Sequence, residues 1–297
     1  MVDVSVIIIN YNTLQLTDNC IRSIIEKTTE VTYEIILVDN ASTDGSIGFF
    51  QKDKRVKFIQ SPVNLGFGKA NNLGYEYSQG KYIFLLNSDT FLKNNALKLF
   101  YDEMEKRSKK IACMGCLLTD VNGNIIHSYA RFPTIINELF RKPLSYFRRI
   151  HWIKEHSDGV PIRKLDDHCL IVEYVTGADL FIRRSVVDQL GLFDPDFFMY
   201  YEETEMQYRY GKSGLFSCII DSPQIVHLEG GSHSKKHSAW IGKSLGGLMI
   251  CFRKIHSERW CTFLKFVLIV ATLPKAVVDV RYSFKEKIAY FRKIIES

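Results

Sequence analysis

The sequence predicts an α/β fold with a mainly parallel central sheet and flanking helices. Short apolar runs rich in β-branched residues recur from Val4 onward, and such runs are typical of strands buried on both faces. Segments with helical periodicity separate these runs. Because a parallel pair of strands needs a crossover connection, usually a helix, this alternation favours parallel pairing.

The predicted strands and helices follow one another closely in the first third of the chain. The strands are Val4–Asn10, Glu34–Val38, Val56–Gln60 and Tyr82–Leu86. A first helix is predicted with Thr17 as N-cap, since apolar residues then recur at helical spacing, and a second helix lies near Lys69–Ser78. Strand character returns later at Val172–Arg183, around Thr176-Gly177-Ala178, and at Leu215–Ile220.

Polar residues follow three of the predicted strands: Asn10-Tyr11-Asn12, Asp39 and Asn87-Ser88-Asp89. In open α/β sheets, ligands bind at the carboxyl ends of the strands, where the strand order reverses. Any one of these groups could simply begin a turn, which Asn, Asp and Ser often do. Three groups at one predicted edge instead indicate a ligand site.

Composition and cysteine usage are those of a globular protein in a reducing compartment. Of the 297 residues, 46% are hydrophobic and 24% are charged. The opening residues, MVDVSVIIINYN, lack the basic start and cleavage site of a secretion signal, so we expect a first strand there and a cytoplasmic location. The seven cysteines predict reduced thiols, and the lone Cys113-Met114-Gly115-Cys116 is interpreted as part of a buried strand.

The C-terminal residues carry most of the positive charge. Between Ser232 and Ser297 there are 13 Lys and Arg residues against four acids, whereas the rest of the chain is slightly acidic. The uncharged run Phe266–Leu273 is too short to span a bilayer. Aromatic residues among these charges predict a helix lying on an anionic membrane surface; they are Trp240, Trp260, Phe263 and Phe266.

Two alternatives for this tail remain open: a helical subdomain packed on the catalytic core, and a contact in a homodimer. A nucleic-acid partner is not expected, because the tail is too apolar for a simple phosphate-binding patch. We expect a catalytic domain over residues 1–235, with halves at about 1–105 and 106–235, followed by the tail at 236–297. The aromatic and basic stretch from His127 to His168 is expected to be a variable segment over the site.

Seven motifs, in this order over about residues 3–233, resemble family 2 of the inverting, GT-A-fold glycosyltransferases, especially its rhamnosyltransferase-like branch. They are VSVIIINYN, EIILVDNASTDGS, NLGFGKANNLG, YIFLLNSDT, VTGADLFIRR, GLFDPDFFMYYEETE and VHLEGGSH. Single motifs among these are weak, but the ordered set is specific. The resemblance implies a Rossmann-like GT-A domain that binds a nucleotide-diphosphate sugar, with dTDP-rhamnose as the leading donor and UDP-sugars next.

The resemblance also implies which residues hold this donor. Tyr11 would lie against the nucleobase, Asp39 would bind the base or ribose, and Asn71 would lie near the nucleotide. The nucleotide-sugar set is completed by Asn10, Lys69, Asn87 and Ser88. Asn87-Ser88-Asp89 stands where relatives carry a metal-binding acidic motif, so Asp89, helped by His227, would hold Mg²⁺ or Mn²⁺ on the diphosphate. Alternatively, His227 is an ordinary histidine at the end of a strand.

On the acceptor side, the resemblance implies that Glu203 is the general base, at the position of the aspartate in the family's Glu-Asp-x-Asp motif. Glu202, Glu205, Gly177 and Ala178 would contribute to acceptor binding. The open alternative is a surface helix, since acids suit a first turn and Glu205 and Arg209 form a stabilising pair at a spacing of four. Glutamate has the acid–base chemistry of aspartate but a side chain that is longer by one methylene.

The sequence thus predicts an inverting transferase that moves a sugar to a hydroxyl of a lipid-linked saccharide in bacterial cell-surface polysaccharide synthesis, on the inner face of the cytoplasmic membrane. One alternative is a catalytically inactive nucleotide-sugar binder or membrane scaffold. It is suggested by the Asp-to-Glu changes and by Asn87 in place of a charged ligand. A second alternative, a sugar nucleotidyltransferase, fits less well, because no glycine-rich basic loop follows the first strand.

Overall fold

A nine-stranded sheet forms the centre of the structure, a computed structural model that describes residues 2–135, 163–228 and 237–278. In sheet order, its strands are β3 (Lys57–Gln60), β2 (Tyr33–Asp39), β1 (Val4–Asn10), β4 (Tyr82–Asn87), β11 (Asp179–Arg183), β6 (Ile111–Cys116), β12 (Phe216–Ile220), β9 (Cys169–Val172) and β8 (Arg163–Asp166). Two short ribbons accompany it: β7 (Tyr129–Ala130) with β10 (Tyr174–Val175), and β5 (Thr90–Leu92) with β13 (Ile225–His227).

The first four strands are parallel, and their order reverses between β1 and β4. In this register, Asn10 lies opposite Asp39, and Ile9 lies opposite Asn87. The three polar groups predicted from the sequence therefore meet at one edge of the sheet, at the point where the order reverses. This confirms the predicted α/β class and the predicted edge.

The second half of the sheet begins with β11, which lies antiparallel between β4 and β6, and continues with β12 parallel to β6. The sequence indicated strand character throughout Val172–Arg183. The structure instead has β10 and β11 flanking Thr176-Gly177-Ala178, which is a turn between them. That break leaves the three residues at the edge of the sheet beside the end of β4, because the N–H of Asn87 donates to the carbonyl oxygen of Ala178 at 3.0 Å.

Helices cover both faces of the sheet, and each face has its own apolar core. Successive residues of β1 point to opposite faces, so Ile8 packs in the core that contains Phe84 and Phe100, whereas Ile7 packs in the core that contains Met206 and Tyr210. The helices are α1 (Leu14–Lys27), α2 (Ser46–Phe50), α3 (Phe67–Glu76), α4 (Ala96–Lys106), α5 (Arg184–Leu190), α6 (Glu202–Lys212), α7 (His237–Ile255) and α8 (Glu258–Val278).

The prediction of Thr17 as the N-cap of α1 is wrong. The helix begins at Leu14, and the Leu14 N–H donates to Asp44 Oδ2 at 3.0 Å, so a carboxylate from the next loop caps the helix. Thr17 lies inside α1 and is buried, with its hydroxyl donating to Asn10 Oδ1 at 2.7 Å. A cap supplied from a distant loop leaves no local signal in the sequence.

The prediction that Cys113 and Cys116 lie in a buried strand is confirmed, because both belong to β6, and all seven cysteines are buried. Helix α7 packs against α6 and α8, and a small apolar cluster joins α7 to α8; its members include Leu248, Phe252 and Leu264.

The predicted boundary between residues 235 and 236 lies outside the described residues. Within the part of the chain that the structure describes, no helix combines the length and apolar character needed to cross a membrane.

Candidate active site

A hydrogen-bonded network holds the ends of β1 and β2 together. The Asn10 side-chain amide donates to Asp39 Oδ2 at 2.7 Å and to Ser42 Oγ at 2.9 Å. Its oxygen accepts from the hydroxyls of Thr13 and Thr17. Because these bonds use both the donors and the acceptor of the Asn10 side chain, the structure favours Asn10 as the residue that orients Asp39, rather than as a direct ligand contact.

Asp39 is buried in this network, and its second carboxylate oxygen accepts from the Ser42 N–H at 2.9 Å. Tyr11, the next residue after β1, is instead 45% exposed, as a ring that stacks on a nucleobase must be. Lys69 is exposed on the first turn of α3. Asn71 is buried and donates to the Phe67 carbonyl oxygen at 3.0 Å, so its amide supports the first turn of α3.

Asp89 and His227 approach each other beyond the end of β4. His227 Nε2 lies 3.3 Å from Asp89 Oδ1 and 3.5 Å from Asn87 Nδ2. The β5–β13 ribbon produces this approach by placing His227 opposite Thr90. Ser88 is buried, and its hydroxyl lies 3.2 Å from that of Thr13, so it joins the Asn87-Ser88-Asp89 segment to the Asn10 network. The glycines at 230 and 231 that follow His227 lie outside the described residues.

Asp89 and His227 suit a divalent cation that a diphosphate also coordinates. Adjacent ligands of an octahedral ion with bonds of about 2.1 Å lie about 3 Å apart, close to the 3.3 Å observed. Carboxylate oxygen and imidazole nitrogen are both acceptable ligands for Mn²⁺. In residues 2–135, 163–228 and 237–278, no cluster of three or more His, Cys, Asp or Glu side chains could hold a metal, so the remaining ligands would come from the diphosphate and water.

Glu203 lies in the first turn of α6 against the turn between β10 and β11. A methyl group on Gly177 would lie 3.8 Å from both Cβ and Cγ of Glu203 and 3.5 Å from the Phe67 ring. Burial raises the pKa of Glu203 to about 7. A carboxylate with this pKa accepts a proton more readily than an ordinary exposed one, which suits a general base at neutral pH.

Gln207, which the sequence analysis missed, fixes this arrangement. Its side-chain oxygen accepts from the Val175 N–H at 2.8 Å, and its amide donates to the Val175 carbonyl at 2.7 Å and to the Glu203 carbonyl at 3.1 Å. Gln207 therefore ties the first turn of α6 to β10, and so to Gly177. The only sequence signal was its position four residues after Glu203, on the same helix face.

Glu202 is buried rather than an exposed carboxylate at the start of a helix. It is 2% exposed, and its Oε2 atom has no hydrogen-bond partner among the residues that the structure describes. It packs where a methyl group on Gly68 would lie 3.6 Å from its Cβ, so it fills the space between α6 and α3. Burial, followed by the neighbouring charge of Glu203, raises the pKa of Glu202 to about 8.

Glu205 faces away from this turn. Its two carboxylate oxygens accept from Arg209 Nε at 3.1 Å and Nη2 at 3.2 Å. Arg209 also donates to the backbone carbonyls of Leu190, Gly191 and Leu192. The structure therefore favours the paired alternative for Glu205 over acceptor binding, although the pair is largely buried and not on a surface helix.

Asp179 is a second residue that the sequence analysis did not single out. It is fully buried beside β6, and its Oδ2 accepts from the Cys116 N–H at 2.7 Å. Within the described part of the chain, its Oδ1 has no hydrogen-bond partner. Burial raises the pKa of Asp179 to about 7, and the hydrogen bond from the Cys116 N–H opposes this effect. The signal was present in the sequence, as an aspartate directly before the apolar residues Leu180, Phe181 and Ile182.

Together, the structure brings most of the predicted site residues to one region. The hydrogen bond from Asn87 to Ala178 connects the Asp89–His227 pair to the turn that carries Gly177, against which Glu203 packs. The residues predicted to bind the donor and those predicted to bind the acceptor thus flank the carboxyl ends of β1 and β4. Asn10 and Asn71 support this region from within the protein, and Glu205 lies outside it.

Comparisons with known proteins bear on the family and the fold of the chain. The sequence profile of glycosyl transferase family 2 matches residues 5–163. The chain is 24% identical over 281 residues to the N-acetylglucosaminyl-diphospho-decaprenol L-rhamnosyltransferase of Mycobacterium tuberculosis, with 90% of each chain covered.

Two solved structures share the fold. One is a mannosyltransferase from Pyrobaculum calidifontis in complex with GDP-Man and Mn²⁺, with a TM-score of 0.56 at 14% identity, covering 96% of this chain and 77% of the other. The second is GalNAc-T7 with UDP, GalNAc and Mn²⁺, with a TM-score of 0.66 at 19% identity, covering 99% of this chain and 55% of the other.

Proposed function

Because the chain belongs to glycosyl transferase family 2 and is a glycosyltransferase with the GT-A fold, we propose that it transfers a sugar, with inversion, from dTDP-rhamnose or a UDP-sugar to a hydroxyl of a lipid-linked saccharide. One observation carries this proposal: Glu203 lies against Gly177, one residue from the Ala178 carbonyl that binds Asn87 of the metal-binding motif. The proposed base, Glu203, and the proposed diphosphate site at Asp89 and His227 therefore lie on either side of the same part of the sheet edge.

In the proposed reaction, the acceptor hydroxyl oxygen attacks the anomeric carbon from the face opposite the diphosphate. A new carbon–oxygen bond forms as the bond to the diphosphate oxygen breaks, and the electron pair of that bond leaves with the nucleoside diphosphate. Glu203 takes the hydroxyl proton, which makes the oxygen a better nucleophile. A single displacement of this kind inverts the anomeric configuration.

Asp39, oriented by Asn10, and Tyr11 are proposed to hold the nucleoside, while Asp89 and His227 are proposed to hold Mg²⁺ or Mn²⁺. When bound, the cation would neutralise charge on the departing diphosphate. The 3.3 Å separation of Asp89 Oδ1 and His227 Nε2 supports this assignment, and two GT-A neighbours contain Mn²⁺.

We propose a lipid-linked acceptor because the Mycobacterium tuberculosis relative, by its name, glycosylates a decaprenol-linked sugar. The exposed aromatic side chains of α8, namely Trp260, Phe263 and Phe266, would then rest on the membrane that contains the acceptor. Their spacing of three residues groups them along one side of α8, and all three are exposed, whereas Cys261 and Leu264 of the same helix are buried. This proposal implies a peripheral enzyme on the inner face of the cytoplasmic membrane.

The decisive experiment measures sugar transfer from a panel of dTDP-, UDP- and GDP-sugars to a polyprenyl-diphosphate-linked GlcNAc acceptor, with Mn²⁺ or Mg²⁺. We expect one donor to be used, with activity lost on addition of EDTA and in Glu203→Gln. Donor binding by calorimetry should persist in Glu203→Gln. Undiminished transfer by a folded Glu203→Gln enzyme would remove the assigned base.

Membership of a glycosyltransferase family leaves little support for the inactive-scaffold and nucleotidyltransferase alternatives. The Asn87 amide lies beside His227 and is not a charged ligand, so the proposed site has one carboxylate. We therefore expect metal binding to depend strongly on the bound nucleotide diphosphate. Donor binding without transfer or hydrolysis, across the whole panel, would instead favour the scaffold.

A further inference from the structure

A strained turn precedes the proposed base. Tyr200 and Tyr201 have φ values of 73° and 71°, in the left-handed region that residues with a Cβ atom rarely adopt. Two such residues in succession, immediately before Glu202 and Glu203, set the direction in which α6 begins. Such a conformation persists only where the surrounding structure holds it.

Backbone contacts on the donor side hold one flank of this turn. The Phe67 N–H donates to the Phe198 carbonyl oxygen at 2.8 Å, and a methyl group on Gly66 would lie 2.0 Å from that oxygen. Asn72 makes two hydrogen bonds with the Phe193 backbone, at 2.7 and 3.1 Å. These contacts fix the segment before the turn to α3.

Helix α7, which the sequence assigned to a separate tail, holds the opposite flank. A methyl group on Gly247 would lie 2.4 Å from the Tyr200 carbonyl oxygen and 3.1 Å from that of Met199. Carbon and oxygen atoms normally approach to about 3.3 Å at closest, so an alanine there would force the helix and the turn about 1 Å apart. Only glycine permits this close approach.

Four further contacts dock α7 at the same place. Lys254 Nζ lies 2.7 Å from Asp194 Oδ2 and 2.8 Å from Asp196 Oδ2, in the loop before the aromatic run. Tyr208 of α6 donates to the Ile255 carbonyl at 3.4 Å, and Tyr201 packs on the apolar cluster that joins α7 to α8. The turn is therefore enclosed by α3 and α7.

We propose that α7 is part of the catalytic apparatus, with Gly247 as a positioning residue that holds the left-handed Tyr200–Tyr201 turn and thereby directs Glu203 at the acceptor hydroxyl. The inference rests on the proposed role of Glu203 as base. It means that the C-terminal helices complete the active site in addition to any contact they make with a membrane.

The chain provides a matched control, because Gly246 precedes Gly247 in the same helix, and a methyl group there meets no atom within 4 Å. Both Gly→Ala substitutions raise helix propensity equally, so only the close approach to Tyr200 distinguishes them. The two variants are made in the full-length enzyme, and kcat, donor KM and Tm are measured for each with the donor and acceptor found above.

We expect Gly247→Ala to lower kcat by roughly 10- to 100-fold with donor KM within about twofold of wild type, because a displacement of about 1 Å suffices for such a loss. Gly246→Ala should leave both constants within about twofold. Equal kcat for the two variants overturns the proposal, as does a loss in Gly247→Ala that appears in donor KM instead of kcat.

If Gly247→Ala lacks a cooperative thermal transition, Lys254→Gln is tested in its place. This substitution removes the ion pairs with Asp194 and Asp196 and keeps most of the aliphatic part of the side chain. A reduced kcat with unchanged donor KM supports the positioning role, and an unchanged kcat overturns it. Glu203→Gln is assayed in parallel. If that variant is inactive while Gly247→Ala matches Gly246→Ala, only this inference fails; if Glu203→Gln is active, the proposed base fails first.

Discussion

His227 Nε2 lies 3.3 Å from Asp89 Oδ1, although the two residues are far apart in the sequence. Antiparallel pairing of β5 with β13 brings them together, and Leu228 continues the contact by donating its N–H to the Asp89 carbonyl at 2.9 Å. The proposed metal site thus depends on a short ribbon outside the main sheet.

Mn²⁺ binding should depend on both residues. We expect His227→Ala and Asp89→Asn each to weaken Mn²⁺ affinity at least about 10-fold in the presence of the nucleoside diphosphate, because each removes one of two protein ligands. Electron paramagnetic resonance of free Mn²⁺ measures this directly. His168→Gln, an exposed histidine on the β8–β9 hairpin, serves as the control, and equal affinities for all three variants would contradict the site.

The activity should rise with pH around neutrality. Glu203 must be ionised to accept a proton, and burial raises its pKa to about 7, so kcat/KM should fall as pH decreases through about 7 and not near 4.5. Glu203→Asp, with a carboxylate retracted by roughly 1.5 Å, should retain more activity than Glu203→Gln. A pH profile that is flat from 5 to 8 would count against Glu203 as the base.

The buried Glu202 should make the protein less stable at alkaline pH. Its pKa is raised from 4.5 to about 8 in the folded state, so the folded protein binds more protons than the unfolded chain in this range. The free energy of unfolding should therefore decrease as pH rises from about 4.5 to 8, by on the order of a few kcal/mol from this group.

Thermal melts from pH 5 to 9 test this prediction. We expect Glu202→Gln to flatten the decline in Tm, because an amide of similar shape cannot ionise. Glu26→Gln, on the exposed side of α1, should leave the decline unchanged. Parallel curves for wild type and Glu202→Gln would show that Glu202 does not contribute to the decline.

Anionic vesicles should bind the protein through α8. Trp260, Phe263 and Phe266 are 52%, 44% and 64% exposed, and aromatic side chains of this kind favour the membrane interface. In flotation with phosphatidylglycerol-containing vesicles, replacing all three by serine should abolish binding. The matched control replaces Phe49 and Val121, which are exposed on the catalytic core.

The outcome of the flotation also distinguishes the alternatives for this surface. Binding that requires the anionic lipid and weakens with salt supports a membrane contact. The alternative result is that the wild-type protein does not bind the vesicles and elutes as a dimer, whereas the triple variant elutes as a monomer. That result would assign the aromatic face to a homodimer contact. The side chain of Trp240, which the sequence grouped with these aromatics, lies outside the described residues.

Most of the fold and part of the site could be read from the sequence, because they depend on local patterns. Short β-branched apolar runs such as Val4–Asn10 are typical of buried strands, and polar residues at the carboxyl ends of parallel strands lie at one edge of the sheet. The order of motifs then indicated the family, and with it Glu203, Asp39 and Asp89.

The distribution of roles within the site depended on contacts between distant segments. The order of residues in a helix does not show whether Glu205 contacts an acceptor or Arg209. Nor does it show whether Glu202 is exposed or buried against α3. The same holds for the cap that Asp44 supplies to α1 and for the bonds of Gln207 to Val175.

By itself, the sequence determined that this protein has an α/β fold with a mainly parallel sheet and which strand ends carry polar residues, since hydrophobic periodicity and turn chemistry are local properties. Only the tertiary structure decided that the C-terminal helix α7 lies against the turn before Glu203, through Gly247 and Tyr200. Two backbones can pack this closely only where one of them has a glycine. The sequence around a glycine in a helix does not show which other segment of the chain the glycine will contact.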